Sequence, residues 1–237
     1  MLTFMVREFF DPLNLLVSIA TSVLTFIILY IAFHRKANRW RLQRLAFLRK
    51  IASVHKNYQS EAPAYRHSRA YIDLNKILMR NPDLVEEASS RLADVLQRYL
   101  DAKICFVEKN FGSGGILTIA GSIENKLRRP VSKLSLVRDV ISISLGGEPI
   151  GNGDKVILVQ DVIRTGYETV EAAQKLKRFN AIVFATVALV DCEELVKDEA
   201  FNKTGIKLIS ILKLSEIEEY IAKQSCRSDV KVMAGED

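Results

Sequence analysis

The chain has 237 residues, 49% of them hydrophobic, and a net charge of +6. Arg35, Lys36, Arg39, Arg41, Arg44, Arg49 and Lys50 crowd into 34–50 without an Asp or Glu. They exceed the whole surplus, so no nucleic-acid surface is needed to explain it. Cys105, Cys192 and Cys226 lack C-x-x-C spacing and His34, His55 and His67 lack ligand spacing, which excludes a disulfide framework and a zinc site and leaves reduced thiols.

In chain order, residues 1–12 carry Arg7, Glu8 and Asp11, which nearly cancel. Residues 13–33, LNLLVSIATSVLTFIILYIAF, contain no charge. As a helix rising about 1.5 Å per residue they would span the roughly 30 Å hydrocarbon core. With the cations after it, the positive-inside rule predicts a single-pass anchor, the N-terminus outside and the bulk of the chain cytoplasmic. A cleaved signal peptide is disfavoured, because a basic leader and a small-x-small site are missing. Residues 34–58 predict a basic helix with Trp40, Leu42, Leu45, Phe47, Leu48 and Ile51 on its apolar side. That side either lies on membrane lipids or caps the following domain. Ser18/Ser22 and Thr21/Thr25, each at i,i+4, either contact another helix or bond back to their own.

The segment around 59–67, with Pro63, predicts the linker into a domain over 59–224, and 225–237 a fraying tail. Within the domain the pattern alternates. Helices are predicted at 81–100, from 116 to 127, at 167–179 and from 215. Strands are predicted at 103–107, 131–138, 155–161, 182–190 and 207–212. Ser215 followed by Glu218 reads as a capping box for the last helix. Alternation of this kind implies an α/β fold: a parallel sheet with helices on both faces and ligands at the strands' carboxyl ends.

The most informative stretch is KVILVQDVIRTGYETVEAA, from Lys155 to Ala173. An apolar run ends in Gln160-Asp161 and turns through Arg164-Thr165-Gly166 into a helix. A strand that ends in an acid and turns into a helix N-terminus offers N–H groups to an anion. The acid can hydrogen-bond the hydroxyls of an attached sugar. The pairing suits a phosphosugar.

At these residues the chain resembles the type I phosphoribosyltransferases, whose signature is four apolar residues, two acids and a V-I-T-T-G-like loop. Ala70 to Leu96, Gly112 to Asp139 and Ala185 to Glu194 resemble further segments of orotate phosphoribosyltransferases, in the same order. The resemblance implies a type I phosphoribosyltransferase fold, phosphoribosyl pyrophosphate as ligand with Mg²⁺ accompanying it, and a homodimer. It places Asp161 and Gln160 at the ribose hydroxyls and Arg164, Thr165, Gly166 and Glu168 around the 5′-phosphate. The turn Gly112-Ser113-Gly114-Gly115 would hold pyrophosphate, or else is simply a tight strand–helix turn. Arg138 matches a residue of the family's mobile loop.

The chain departs from the family at several of these positions. Gln160 stands where the family has an acid, and Glu168 where it has a hydroxyl. Glu168 either occupies the phosphate site and pairs with Arg164, or points outward as a first-turn acid. Asp139 replaces a Lys, the following ISISLGGEPIGNG has no cation, and APAYRHS stands where the family has K-S-G. The departures point to a degenerate relative that binds a phosphosugar, a nucleotide or a partner. Coverage and Asp161-x-x-x-Thr165-Gly166 point to an active, Mg²⁺-dependent transferase of the orotate type.

Overall fold

Short runs of Val, Ile and Leu flanked by glycine and charged residues give this chain its strands. β-branched side chains suit the pleated surface, and runs apolar on both faces are what a doubly covered parallel sheet buries. The computed structural model describes residues 12–61, 74–108, 114–136, 140–143, 149–193 and 199–223. Its elements in chain order are α1 (Pro12–Glu61), α2 (Leu74–Arg80), α3 (Pro82–Leu96), β1 (Lys103–Glu108), α4 (Gly114–Leu127), β2 (Val131–Ser135) and β3 (Val140–Ile143). There follow β4 (Lys155–Ile163), α5 (Tyr167–Lys177), β5 (Ile182–Asp191), α6 (Glu199–Asn202), β6 (Lys207–Lys213) and α7 (214–223).

The sheet has six strands in the order β3-β2-β1-β4-β5-β6. All neighbours are parallel except β3, which runs antiparallel to β2 at the edge. β3 was not expected. Its VISI is only four residues long, with Ser142 the one polar position, too short a pattern to stand out beside the glycines that follow.

One face of the sheet buries Ile104, Phe106, Ile157, Val159 and Val187 under α2, α3, α4 and α7. Full burial of a side chain such as Phe106 stabilises by about 2–3 kcal/mol. The other face sets Val156 and Leu158 against Ala172 and Leu176 of α5. Cys105 and Cys192 are buried thiols outside any disulfide, and burial pushes the Cys105 thiol up to about 12. Cys226 lies outside the described residues.

α7 begins with a cap built differently from the expected one. The Glu216 carboxylate accepts from the Lys213 backbone N–H at 2.9 Å, so Glu216 and not Glu218 reaches back to the residue before the helix.

The chain divides into two compact units, 1–46 and 47–237. In the second, Phe47, Leu48, Ile51 and Ala52 join the core, ahead of the linker expected at 59–67. From Phe47 onward the apolar side of the basic segment is therefore domain core and not a lipid-facing surface. The Trp40 side chain lies outside the described residues.

In the first unit, Ile19, Val23, Phe26, Leu29 and Phe33 are exposed, and the Thr25 hydroxyl donates to the Thr21 carbonyl of its own helix at 2.8 Å. Among the described residues no helix is long and apolar enough to cross a membrane. The expected transmembrane helix over 13–33, and the placement outside–cytoplasmic built on it, are corrected accordingly. The side chains of 12–18 and 20 are not among those described.

Candidate functional site

From β1 the chain moves through α4 to β2 on one side, whereas β4 leads through α5 to β5 on the other. The order therefore reverses between β1 and β4. In open α/β sheets the crevice outside the carboxyl ends of two such strands is where ligands bind. β1 and β4 are in register to Phe106↔Val159, so Glu108 and Asp161 each lie two residues further towards that edge.

Asp161 is half-buried there, and its carboxylate Oδ1 accepts from the Val162 backbone N–H at 2.8 Å. Arg164 and Thr165 are exposed in the bend that follows. Gly166 ends the bend at φ 77° and ψ 2°, a left-handed conformation that suits glycine, and caps α5 without a side-chain oxygen. The Tyr167 N–H reaches only a distant partner, Thr165 Oγ1 at 3.5 Å. An uncapped first turn beside an exposed Arg and Thr is an arrangement that accepts a phosphate. Glu168 sits half-buried in this first turn.

Gln160, one residue before Asp161, takes the opposite direction. Val156, Leu158 and Gln160 alternate on one side of β4, the side that faces α5. Gln160 is 0% exposed, and its Nε2 donates to Thr169 Oγ1 at 2.6 Å and Thr186 Oγ1 at 3.3 Å. Thr169 belongs to the buried stripe Thr169–Ala172–Leu176 of α5. Thr169 and Thr186 were not singled out in the sequence. The signal was a Thr at the first sheet-facing position of a helix that follows a Gln at an apolar position of a strand.

Gly114 and Gly115 open α4 at the same edge. Ser113 and Arg138 lie outside the described residues. Lys175 of α5 donates from Nζ to the Leu136 carbonyl at 2.7 Å, tying that helix to the segment leaving β2.

The structure adds Asp191 and Glu193 to this edge. The Cys192 N–H donates to the Ile163 carbonyl at 2.9 Å, which joins the ends of β4 and β5. Asp191 accepts from the Glu193 N–H at 2.7 Å, and burial raises its carboxyl above the ordinary carboxylate range. Glu193 accepts from the Ser215 N–H and pairs with Lys213 at 3.0 Å, and these contacts hold its carboxyl below the ordinary range. No group of three or more His, Cys, Asp and Glu placed to hold a metal occurs among the described residues. Asp161, half-buried at this edge, is a carboxylate of the kind that Mg²⁺ takes as a ligand.

A doubly wound sheet with an acid-ended strand and an uncapped glycine turn at its switch point defines the class: a type I phosphoribosyltransferase fold. The solved orotate phosphoribosyltransferase of Aeropyrum pernix superposes with a TM-score of 0.51 over 64% of this chain and 83% of its own, at 23% identity. UMP synthase of Leishmania donovani gives 0.51 at 26% identity, over 70% of this chain and 36% of that longer one. No family model matches the chain. In sequence it is 31% identical over 157 residues to the orotate phosphoribosyltransferase of Archaeoglobus fulgidus, covering 65% of this chain and 79% of that protein. The corresponding protein of Pyrococcus furiosus is 31% identical over 160 residues, 65% of this chain and 82% of its own. The chain belongs to the orotate phosphoribosyltransferase family.

Proposed function

We propose that the chain is a phosphoribosyltransferase of the orotate type, taking phosphoribosyl pyrophosphate with Mg²⁺ and forming orotidine 5′-monophosphate and pyrophosphate. The observation that carries this reading is the position of Asp161 and the 164–166 turn at the sheet's switch point. The family's two relatives at 31% identity support it.

In this reading Asp161 accepts hydrogen bonds from the ribose hydroxyls and offsets positive charge developing on the ribose as the C1′–pyrophosphate bond breaks. Arg164, Thr165 and the first turn of α5, begun by Gly166, hold the 5′-phosphate through a charge-assisted fork and backbone N–H groups. Gly114 and Gly115, at the start of α4, admit the pyrophosphate close to the backbone. Ser113 and Arg138 join them, with Arg138 offsetting charge on the leaving group. Glu168 flanks the phosphate site and weakens phosphate binding by repulsion. Mg²⁺ supplies charge neutralisation on the pyrophosphate. The reading includes a homodimer, which sedimentation of the full chain would reveal as twice the 26.8 kDa mass.

A second reading, phosphosugar binding without turnover, is favoured by the amide at Gln160, which is buried and uncharged and leaves Asp161 the one acid of that pair. Orotate-dependent release of pyrophosphate, lost in Asp161→Asn, supports transfer. Calorimetric binding of phosphoribosyl pyrophosphate with no release supports the second reading, and no binding removes both.

A further inference from the structure

We propose that Gln160 is a positioning residue: it clamps the first turn of α5, and with it the 164–166 turn, to β4 and β5. The argument rests on the proposed phosphosugar site only for its consequence; the clamp itself is geometric. Gln160 is fully buried and touches one hydroxyl on the helix, Thr169, and one on the neighbouring strand, Thr186. Both hydroxyls are themselves fully buried. In either orientation of the amide, one of its ends engages both threonines. Among the described residues its Oε1 has no partner.

Position matters more than count here. Thr169 is the third residue of α5, directly after the turn that ends in Gly166. A helix that begins on a glycine lacks the side-chain oxygen that would otherwise bond the N–H groups of its first turn. The fully buried apolar residues of α5 are Ala172 and Leu176, and half-buried Val170 and Ala173 pack against the cluster of Ile163, Ala188, Phe201 and Ile206. The amide therefore adds a buried polar tie to β4 and β5 at the third residue of α5, ahead of the apolar packing that starts at Val170. It also does so uncharged. A carboxylate enclosed at this position would carry a desolvation penalty that two hydroxyls offset only in part. An acid here would thus loosen the clamp rather than restore a sugar contact.

The test uses the full chain and three variants: Gln160→Met, which keeps the volume, Thr169→Val, and Gln160→Glu. Hydrogen exchange of backbone amides 167–170 is measured without ligand, and Mg²⁺–phosphoribosyl pyrophosphate affinity by calorimetry. Expected are faster exchange confined to these amides and affinity about tenfold weaker in Gln160→Met and in Thr169→Val. The double variant should be little weaker than either single one, because the two act as one unit. The KM for orotate should stay unchanged, which general destabilisation would not give. Tighter binding by Gln160→Glu would overturn the proposal, since it would mean the side chain reaches the sugar. So would unchanged exchange in Gln160→Met. Failure of the unaltered chain to bind phosphoribosyl pyrophosphate, with the exchange result intact, would sink the functional reading and leave the clamp standing.

Discussion

The two sides of β4 end differently. Towards α3 and α4, Ile157 and Val159 are enclosed in the largest core cluster, and the strand then delivers Asp161 half-buried to the carboxyl edge. Towards α5, Val156 and Leu158 lead to Gln160, which never leaves the interior. Adjacent residues of one motif thus serve different purposes. One meets the crevice, and the other sets the helix that borders it.

The strongest way to sharpen this contrast is to damage each side in turn. Leu158→Ala removes a fully buried side chain beneath α5 and should lower stability by about 3 kcal/mol. Chemical denaturation would check it, and a loss below about 1 kcal/mol would mean that α5 is not firmly packed there. Asp161→Asn should leave stability nearly unchanged and reduce orotate-dependent turnover about a hundredfold, as removal of a charge acting at the reacting centre typically does. If instead Asp161→Asn unfolds the chain, the acid is structural and the comparison fails.

Glu168→Thr should tighten phosphoribosyl pyrophosphate binding by up to about tenfold, by removing a like charge from the first turn of α5. Weaker binding would show that the carboxylate positions the turn rather than opposing the phosphate.

The smallest expected effect lies at the end of the next strand. The Asp191 carboxyl is raised by burial, so the folded state favours its protonated form. That stability is present below the unfolded carboxylate's pKa and is lost as pH rises through the raised folded value. Asp191→Asn should therefore raise Tm modestly at neutral pH and make no difference in acid. A gain that persists in acid would contradict the assignment.

Much of the fold is legible because β1, β4 and β5 are built on apolar runs that alternate with helix-forming segments. The parallel pairing of β1, β2, β4, β5 and β6 is the arrangement that their alternation with helices implies, whereas their order in the sheet is not contained in that alternation. The direction of Gln160 did not follow from the motif alone. It depends on which side of β4 faces α5, and that is set by the partnership of Val156 and Leu158 with Ala172 and Leu176. β3 was missed because four residues before a glycine pair give too short a pattern. The residues from Phe47 to Ala52 were read with the basic segment before them, because a helix pattern running through Pro12–Glu61 has no break to mark where core burial begins. Asp191 was passed over because a strand's terminal acid gains meaning only once Cys192 is seen bonded to Ile163.

The central claim, orotate-type transfer at the end of β4, is tested most directly by following pyrophosphate release from phosphoribosyl pyrophosphate by the full-length chain, with and without orotate and Mg²⁺. The account predicts release that requires both and that Asp161→Asn nearly abolishes. Release that ignores orotate, or none from a chain that binds the phosphosugar, would contradict it.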